Sequence, residues 1–135
     1  MVKITKEVMD MLNDSQASKV LATSDSGGSI NVVTKGSLVA LDEETIAFAD
    51  IFGGKTNVNL SANTKTTVAA FKTDLPPVGY QIKGIFQGFQ TSGPVFDNFA
   101  AQIKSAMNID IKAVGIINPS EVYAIGVPNP GAKIA

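Results

Sequence analysis

The chain has 135 residues, 44% hydrophobic and 17% charged, which is the composition of a folded globular protein with length enough for a core. Twelve acidic groups against eleven basic ones leave a net charge of -1, which argues against a nucleic-acid surface. Cysteine, histidine and arginine are all absent, so disulfides, thiolate chemistry, histidine-based catalysis or metal ligation, and bidentate guanidinium grips on phosphate are excluded.

A chain this poor in reactive side chains works most easily when a cofactor carries the chemistry. No apolar run approaches membrane-span length, and the opening MVKITKEVMDML is amphipathic rather than signal-like, so a cytoplasmic protein is the expectation. No linker, repeat or low-complexity segment divides the chain, and residues 1–135 are expected to form a single domain.

In chain order, TKEVMDMLND (5–14) predicts a short helix, with Thr5 as N-cap and Val8, Met11 and Leu12 on one face. KVLATSD (19–25) and INVVTK (30–35) read as two strands joined by the turn residues DSGGS, hence a hairpin. GSLVALD (36–42) and TIAFAD (45–50) are further strands, residues 55–62 a short helix, and TTVAAF (66–71) a fifth strand. TDLPPVG (73–79) is a loop. GYQIKGIFQGFQT (79–91) alternates, with Tyr80, Ile82, Gly84 and Phe86 on one face, and its glycines Gly84 and Gly88 suggest bends or bulges. SGPVFDNFAAQIKSAM (92–107) predicts a helix with Pro94 in its first turn and Phe96, Phe99, Ala100, Ile103 and Met107 at helical spacing. IKAVGIIN (111–118) and EVYAIGV (121–127) read as two more strands, and PNPGAKIA as an irregular tail. About seven short strands with turn signals between them favour a small antiparallel barrel or sandwich.

One stretch carries chemistry. Ala49 to Thr56, ADIFGGKT, fits a relaxed phosphate-loop pattern with Ala49 in place of the first glycine. A true phosphate loop joins a strand to a helix inside a parallel sheet, whereas the strands here come in hairpins, so the triphosphatase reading is set aside. The plain reading is a glycine turn with a solvated lysine beside it. Against it stands the combination: Gly53 and Gly54 free the backbone to approach an anion, Lys55 adds charge, Thr56 adds a hydroxyl, and a helix starting here points N–H groups the same way. Phosphate binding without triphosphate chemistry fits these features. In INVVTKGSL (30–38), strand-edge backbone near Val33 to Gly36 could hydrogen-bond a flat heterocycle; by itself the segment reads as an exposed hairpin edge. Asn59, Ser61 and Asn63 read as helix-end and turn residues.

Taken together, the hairpin LATSDSGGSINVVTKGSLVALD, the strand TIAFAD, GGKTNVNLSAN, TTVAAF and GYQIKGIFQGFQTSGPVF resemble the FMN-binding split β-barrel family, which includes pyridoxamine 5′-phosphate oxidase-like proteins. The likeness covers roughly residues 17–127 and points to the small single-domain FMN-binding proteins of anaerobes. It implies a mainly β fold: a six- to seven-stranded antiparallel split barrel, Greek-key-like, with short peripheral helices. It implies a homodimer with FMN at the interface. In such proteins the segment matching Val33, Thr34, Lys35, Gly36 and Ser37 lies along the flavin and ribityl chain. The segment matching Gly54, Lys55 and Thr56 takes the phosphate, Asn59 begins the helix behind it, and Asp50 joins the cofactor-binding set. Residues near Met107 to Ile111, or the proline-rich tail, are expected to cover the partner's flavin ring.

The departures from the family matter as well. Pyridoxamine phosphate oxidases proper grip their substrate with arginine and histidine, and this sequence has neither, so that activity is not expected. Haem-binding relatives need a ligand that histidine is not here to supply. Family members often stack Trp or Tyr on the flavin; with no tryptophan and only Tyr80 and Tyr123 here, the resemblance implies a ring covered by aliphatic side chains or left partly open. Two functions remain: an FMN-dependent redox protein, either a small reductase or an electron carrier served by a nicotinamide or protein donor, and a non-catalytic flavin- or deazaflavin-binding module for storage or sensing. No side chain is assigned a catalytic role, and no metal is expected.

Overall fold

The computed structural model describes residues 1–135. Helix α1 (Lys6–Leu12) follows Thr5, which occupies the N-cap position without capping through its hydroxyl, and it buries Val8 and Leu12 one turn apart. Strands β1 (Ser18–Ser24) and β2 (Ile30–Thr34) form the expected hairpin. Its turn is closed by Asp25, whose Oδ1 accepts the Gly27 and Ser29 N–H groups at 2.9 Å each. Then come β3 (Val39–Asp42), β4 (Thr45–Asp50), α2 (Lys55–Ala62), β5 (Lys65–Lys72), β6 (Val78–Gln90), α3 (Pro94–Met107) and β7 (Ala113–Ala124).

Two expectations are corrected. Residues 36–38 are turn rather than strand, because Leu38 N–H folds back onto the Lys35 carbonyl. The two strands expected at 111–118 and 121–127 are one, β7. Pro119 lacks an N–H, yet the ladder survives it. The register shifts between Lys83 and Gly84, Ser120 bulges out, and its hydroxyl donates to the Lys83 carbonyl at 3.0 Å. Gly84 lies opposite Pro119 where backbones crowd: a Cβ there would sit 2.8 Å from the Asn118 carbonyl.

All pairings are antiparallel, in a seven-stranded sheet of order β2-β1-β5-β6-β7-β4-β3. That ends the triphosphatase reading, which needs a parallel sheet. It also forces curvature. Laid flat, the edge strands β2 and β3 would stand about 29 Å apart, six spacings of roughly 4.8 Å. The chain from Thr34 to Val39 can span at most about 18 Å. The sheet therefore curls until its two edges approach, with no ladder between them: a split barrel.

The curl encloses a core of fifteen buried residues, including Leu21, Phe48, Val68, Ile82, Phe86, Ile117 and Val122, with α1 closing it through Val8 and Leu12. Each such side chain contributes about 1.5–3 kcal/mol relative to leaving it in water. A second cluster, Ala47, Ala49, Phe99, Ile111 and Val114, lies under α3 on the outer face of β4 and β7. The apolar face of α3 is thus used within the chain. Met107, expected on that face, is 55% exposed, while Ile111 is buried beneath the helix and does not reach outward. The tail is tied back to its own β7, with Ile134 and Ala132 bonded to Val122 and Ala124. No helix is long and apolar enough to cross a membrane.

Candidate functional site

Between β4 and β5 the chain makes a glycine turn and enters α2. Gly53 has φ +65° and Gly54 has φ +74° with ψ -147°, a backbone region open almost only to glycine. Gly54 is the N-cap of α2, and no side chain caps the helix. The first-turn N–H groups are left to solvent or to an anion. A Cβ at Gly54 would meet nothing within 4 Å, so space lies open in front of the turn. Lys55 is exposed beside it and makes no ion pair.

The expected site residues reach this place from three directions. Ser37, in the turn between β2 and β3, accepts the Ala49 N–H at 3.0 Å through its Oγ, which sets that turn against the end of β4. Asp50 ends β4 at 5% exposure, and its Oδ2 accepts from Asn57 Nδ2 at 3.0 Å. Lys35 lies 5.5 Å above the Phe48 ring, at the margin of the Phe48–Phe86–Phe89 aromatic group. Burial pushes the Lys35 ammonium below its ordinary pKa, and the Asp50 carboxylate partly opposes that shift. Asn31, in β2, points its Nδ2 at the Thr56 hydroxyl at 3.5 Å.

Not every expected residue faces the opening. β2 alternates, so Asn31, Val33 and Lys35 turn inward while Thr34 stands exposed on the opposite face with Ile30 and Val32. Gly36 is exposed, and a Cβ there would meet nothing. Thr56 is buried at 3% exposure, with its hydroxyl turned to Asn31. Asn59 does not begin α2. It lies in the middle of the helix at 1% exposure and donates to Thr23 Oγ1 at 3.1 Å, anchoring α2 to β1. Asn63 ends the helix as expected, accepting the Lys65 N–H at 3.0 Å.

Sequence reasoning did not single out Asn31, Asn57 or Lys19. Asn57 lies inside the glycine-lysine motif, but its partner Asp50 is seven residues back, across a turn whose path spacing does not reveal. Lys19 is 7% exposed and donates from Nζ to the Leu38 carbonyl at 2.9 Å. Its backbone carbonyl accepts the Lys35 N–H at 2.9 Å, so one residue holds both ends of the Lys35–Leu38 turn. Burial holds the Lys19 pKa down, against a pull upward from Asp14.

Two lysines, a helix N-terminus and a glycine turn, offset by one carboxylate, suit one phosphate-sized anion better than a triphosphate with its metal. The chain matches the family described as pyridoxamine 5′-phosphate oxidase over residues 4–126, nearly its whole length. The protein belongs to that family. As a pyridoxamine 5′-phosphate oxidase family member it shares its fold with HupZ of Group A Streptococcus, at 26% identity and a TM-score of 0.82 over 98% of this chain and 99% of that one. An FMN-binding protein from Syntrophomonas wolfei subsp. wolfei is 18% identical, with a TM-score of 0.83 over 92% and 87% of the two chains. HutZ, the haem storage protein of Vibrio cholerae, is 13% identical, with a TM-score of 0.66 over 90% and 94%. No curated protein matches the chain. Membership of this flavin-binding family fits the seven-stranded antiparallel barrel and the open cradle at its split.

Proposed function

We propose that the protein is an FMN-binding flavoprotein acting in redox chemistry, as a small flavin reductase or an electron carrier, with the flavin held at a homodimer interface. The observation that carries this reading is the Gly53–Gly54 turn. Two consecutive glycines at positive φ open the uncapped start of α2 beside Lys55, within the part of the fold that also gathers Lys35, Ser37 and Asp50. That is room, charge and backbone donors for one phosphate, and the buried, unpartnered Asp50 Oδ1 gives the same place an acceptor for a ligand.

In this reading Gly54, Lys55 and the Thr56 N–H hold the phosphate, while Val33 to Ser37 run along the ribityl chain and ring. Bound FMN supplies the hydride or single-electron acceptor that the side chains lack. The protein's part is to bind it and to exclude water. Haem is the poorer choice, because histidine and cysteine are absent from the chain.

The homodimer draws its support from the other face of the sheet. α3 covers the outer face of β4 and β7 but not that of β2, where Ile30 and Val32 are 72% and 60% exposed. A second copy covering that face would bury them.

The test is the absorption spectrum of the purified protein and the mass of the chromophore released on heating. A flavin spectrum and the mass of FMN are expected. A protein that is colourless and takes up no added FMN sinks the reading, and a deazaflavin mass replaces the cofactor. Bleaching of the loaded flavin by a reduced nicotinamide then separates a reductase from a storage or sensing module.

A further inference from the structure

Asp50 is the one acidic side chain in the cradle, and half of its carboxylate is unmatched. Oδ2 accepts from Asn57, whereas Oδ1 is buried with no hydrogen-bond partner. Lys35 feels its charge but forms no ion pair with it. Oδ1 lies 3.8 Å from where a Cβ of Gly53 would be, so it looks at the glycine turn itself. A buried carboxylate oxygen left unpaired is costly, and one beside an anion's seat is also repulsive. The first penalty is relieved if the ligand presents a hydrogen there.

We infer that Asp50 Oδ1 accepts a hydrogen bond from a hydroxyl on the ligand chain next to its phosphate, so that the cradle selects a polyol monophosphate over a plain alkyl phosphate. The inference rests on the FMN reading, in which the ribityl chain is such a polyol. It assigns Asp50 a task that charge alone would not: the carboxylate reads the chain, while Lys55 and the helix start hold the phosphate. Asn57 fixes the carboxylate by occupying its other oxygen.

The experiment compares FMN with a flavin 5-phosphopentyl analogue, which keeps ring and phosphate but lacks the chain hydroxyls, on the wild-type protein and on Asp50→Asn. In the variant the new amide must turn its oxygen to Asn57, which leaves an NH2 where the ligand also brings a donor. Wild type is expected to favour FMN over the analogue by about tenfold or more, the worth of a hydrogen bond to a charged acceptor, and Asp50→Asn to erase that preference. Simple like-charge relief predicts the opposite sign for FMN, namely tighter binding to the variant. Equal wild-type affinity for the two ligands overturns the inference, and this arm needs no variant to fold. A preference that survives in Asp50→Asn also overturns it, as does an equal loss for both ligands, which would mean that the donor is the phosphate's own hydrogen. If neither ligand binds wild type, the FMN reading itself has failed.

Discussion

Lys19 Nζ, buried in β1, donates to the Leu38 carbonyl at 2.9 Å, while the Lys19 carbonyl accepts the Lys35 N–H at 2.9 Å. One residue thereby clamps the short turn across the barrel's split, and that turn carries Lys35 and Ser37. Lys19→Met keeps the apolar stem and removes the donor, leaving Leu38 with a carbonyl that has lost its partner. The expected loss is about 1–3 kcal/mol, read as a lower denaturant midpoint, together with weaker FMN binding. Unchanged stability would show that the cost of burying the ammonium cancels its bond.

Lys55→Ala separates binding from folding. Lys55 is exposed and unpaired, so its removal should leave the melting temperature unmoved. FMN affinity should fall by about 1.5–3 kcal/mol, the worth of one charge-assisted contact. Unchanged affinity in a fluorescence titration would place the phosphate elsewhere.

Gly54→Ala tests the turn. Space is open for the new Cβ, so the cost comes from backbone strain at φ +74° alone, about 1–3 kcal/mol by denaturation. Gly36→Ala, also with open space but without a positive φ, is the control, expected to be neutral or stabilising by at most about 1 kcal/mol.

Lys35 gives a pH dependence with a definite sign. Its folded-state pKa lies below the ordinary 10.5. At lower pH both folded and unfolded chains carry the proton and the full desolvation cost is present. As pH rises through the lowered value toward 10.5, the folded chain sheds the proton first, and Lys35 weakens stability less. In the FMN reading Lys35 lies along the ribityl chain, where its positive charge favours the anionic ligand, so FMN affinity should fall over that same window. Titrations from neutral pH upward should show the decline beginning below 10.5, and Lys35→Met should flatten it.

Val32→Glu places a charge in the middle of the uncovered β2 face. Sedimentation should show a dimer for wild type and a monomer for the variant, since a charge buried without a partner is disfavoured by several kcal/mol. A wild-type monomer at micromolar concentration would remove the composite flavin site.

The sequence by itself determined the local elements. TIAFAD is a strand and residues 55–62 a helix to the residue, because a short apolar run, a glycine turn and the short polar helix after it are local matters. Gly84 and Gly88 marked the sites of bulges, because missing side chains permit the close approach and the φ of +109° found there. The glycine-lysine-threonine cluster was legible as an anion cradle for the same reason.

Only the tertiary structure decided what those pieces do together. Pro119 read as a strand end, yet pairing with β6 carries β7 past it. Helical spacing showed that α3 has an apolar stripe but not what it meets; the stripe lies on its own sheet, because the outer face of β4 and β7 needed cover. Lys35, after β2, and Asp50, at the end of β4, come within reach of each other's charge only because a seven-stranded sheet with consecutive strands at its two edges must curl until they approach. Spacing along the chain reports backbone conformation. Which buried oxygen is left without a partner depends on the closure of the whole barrel.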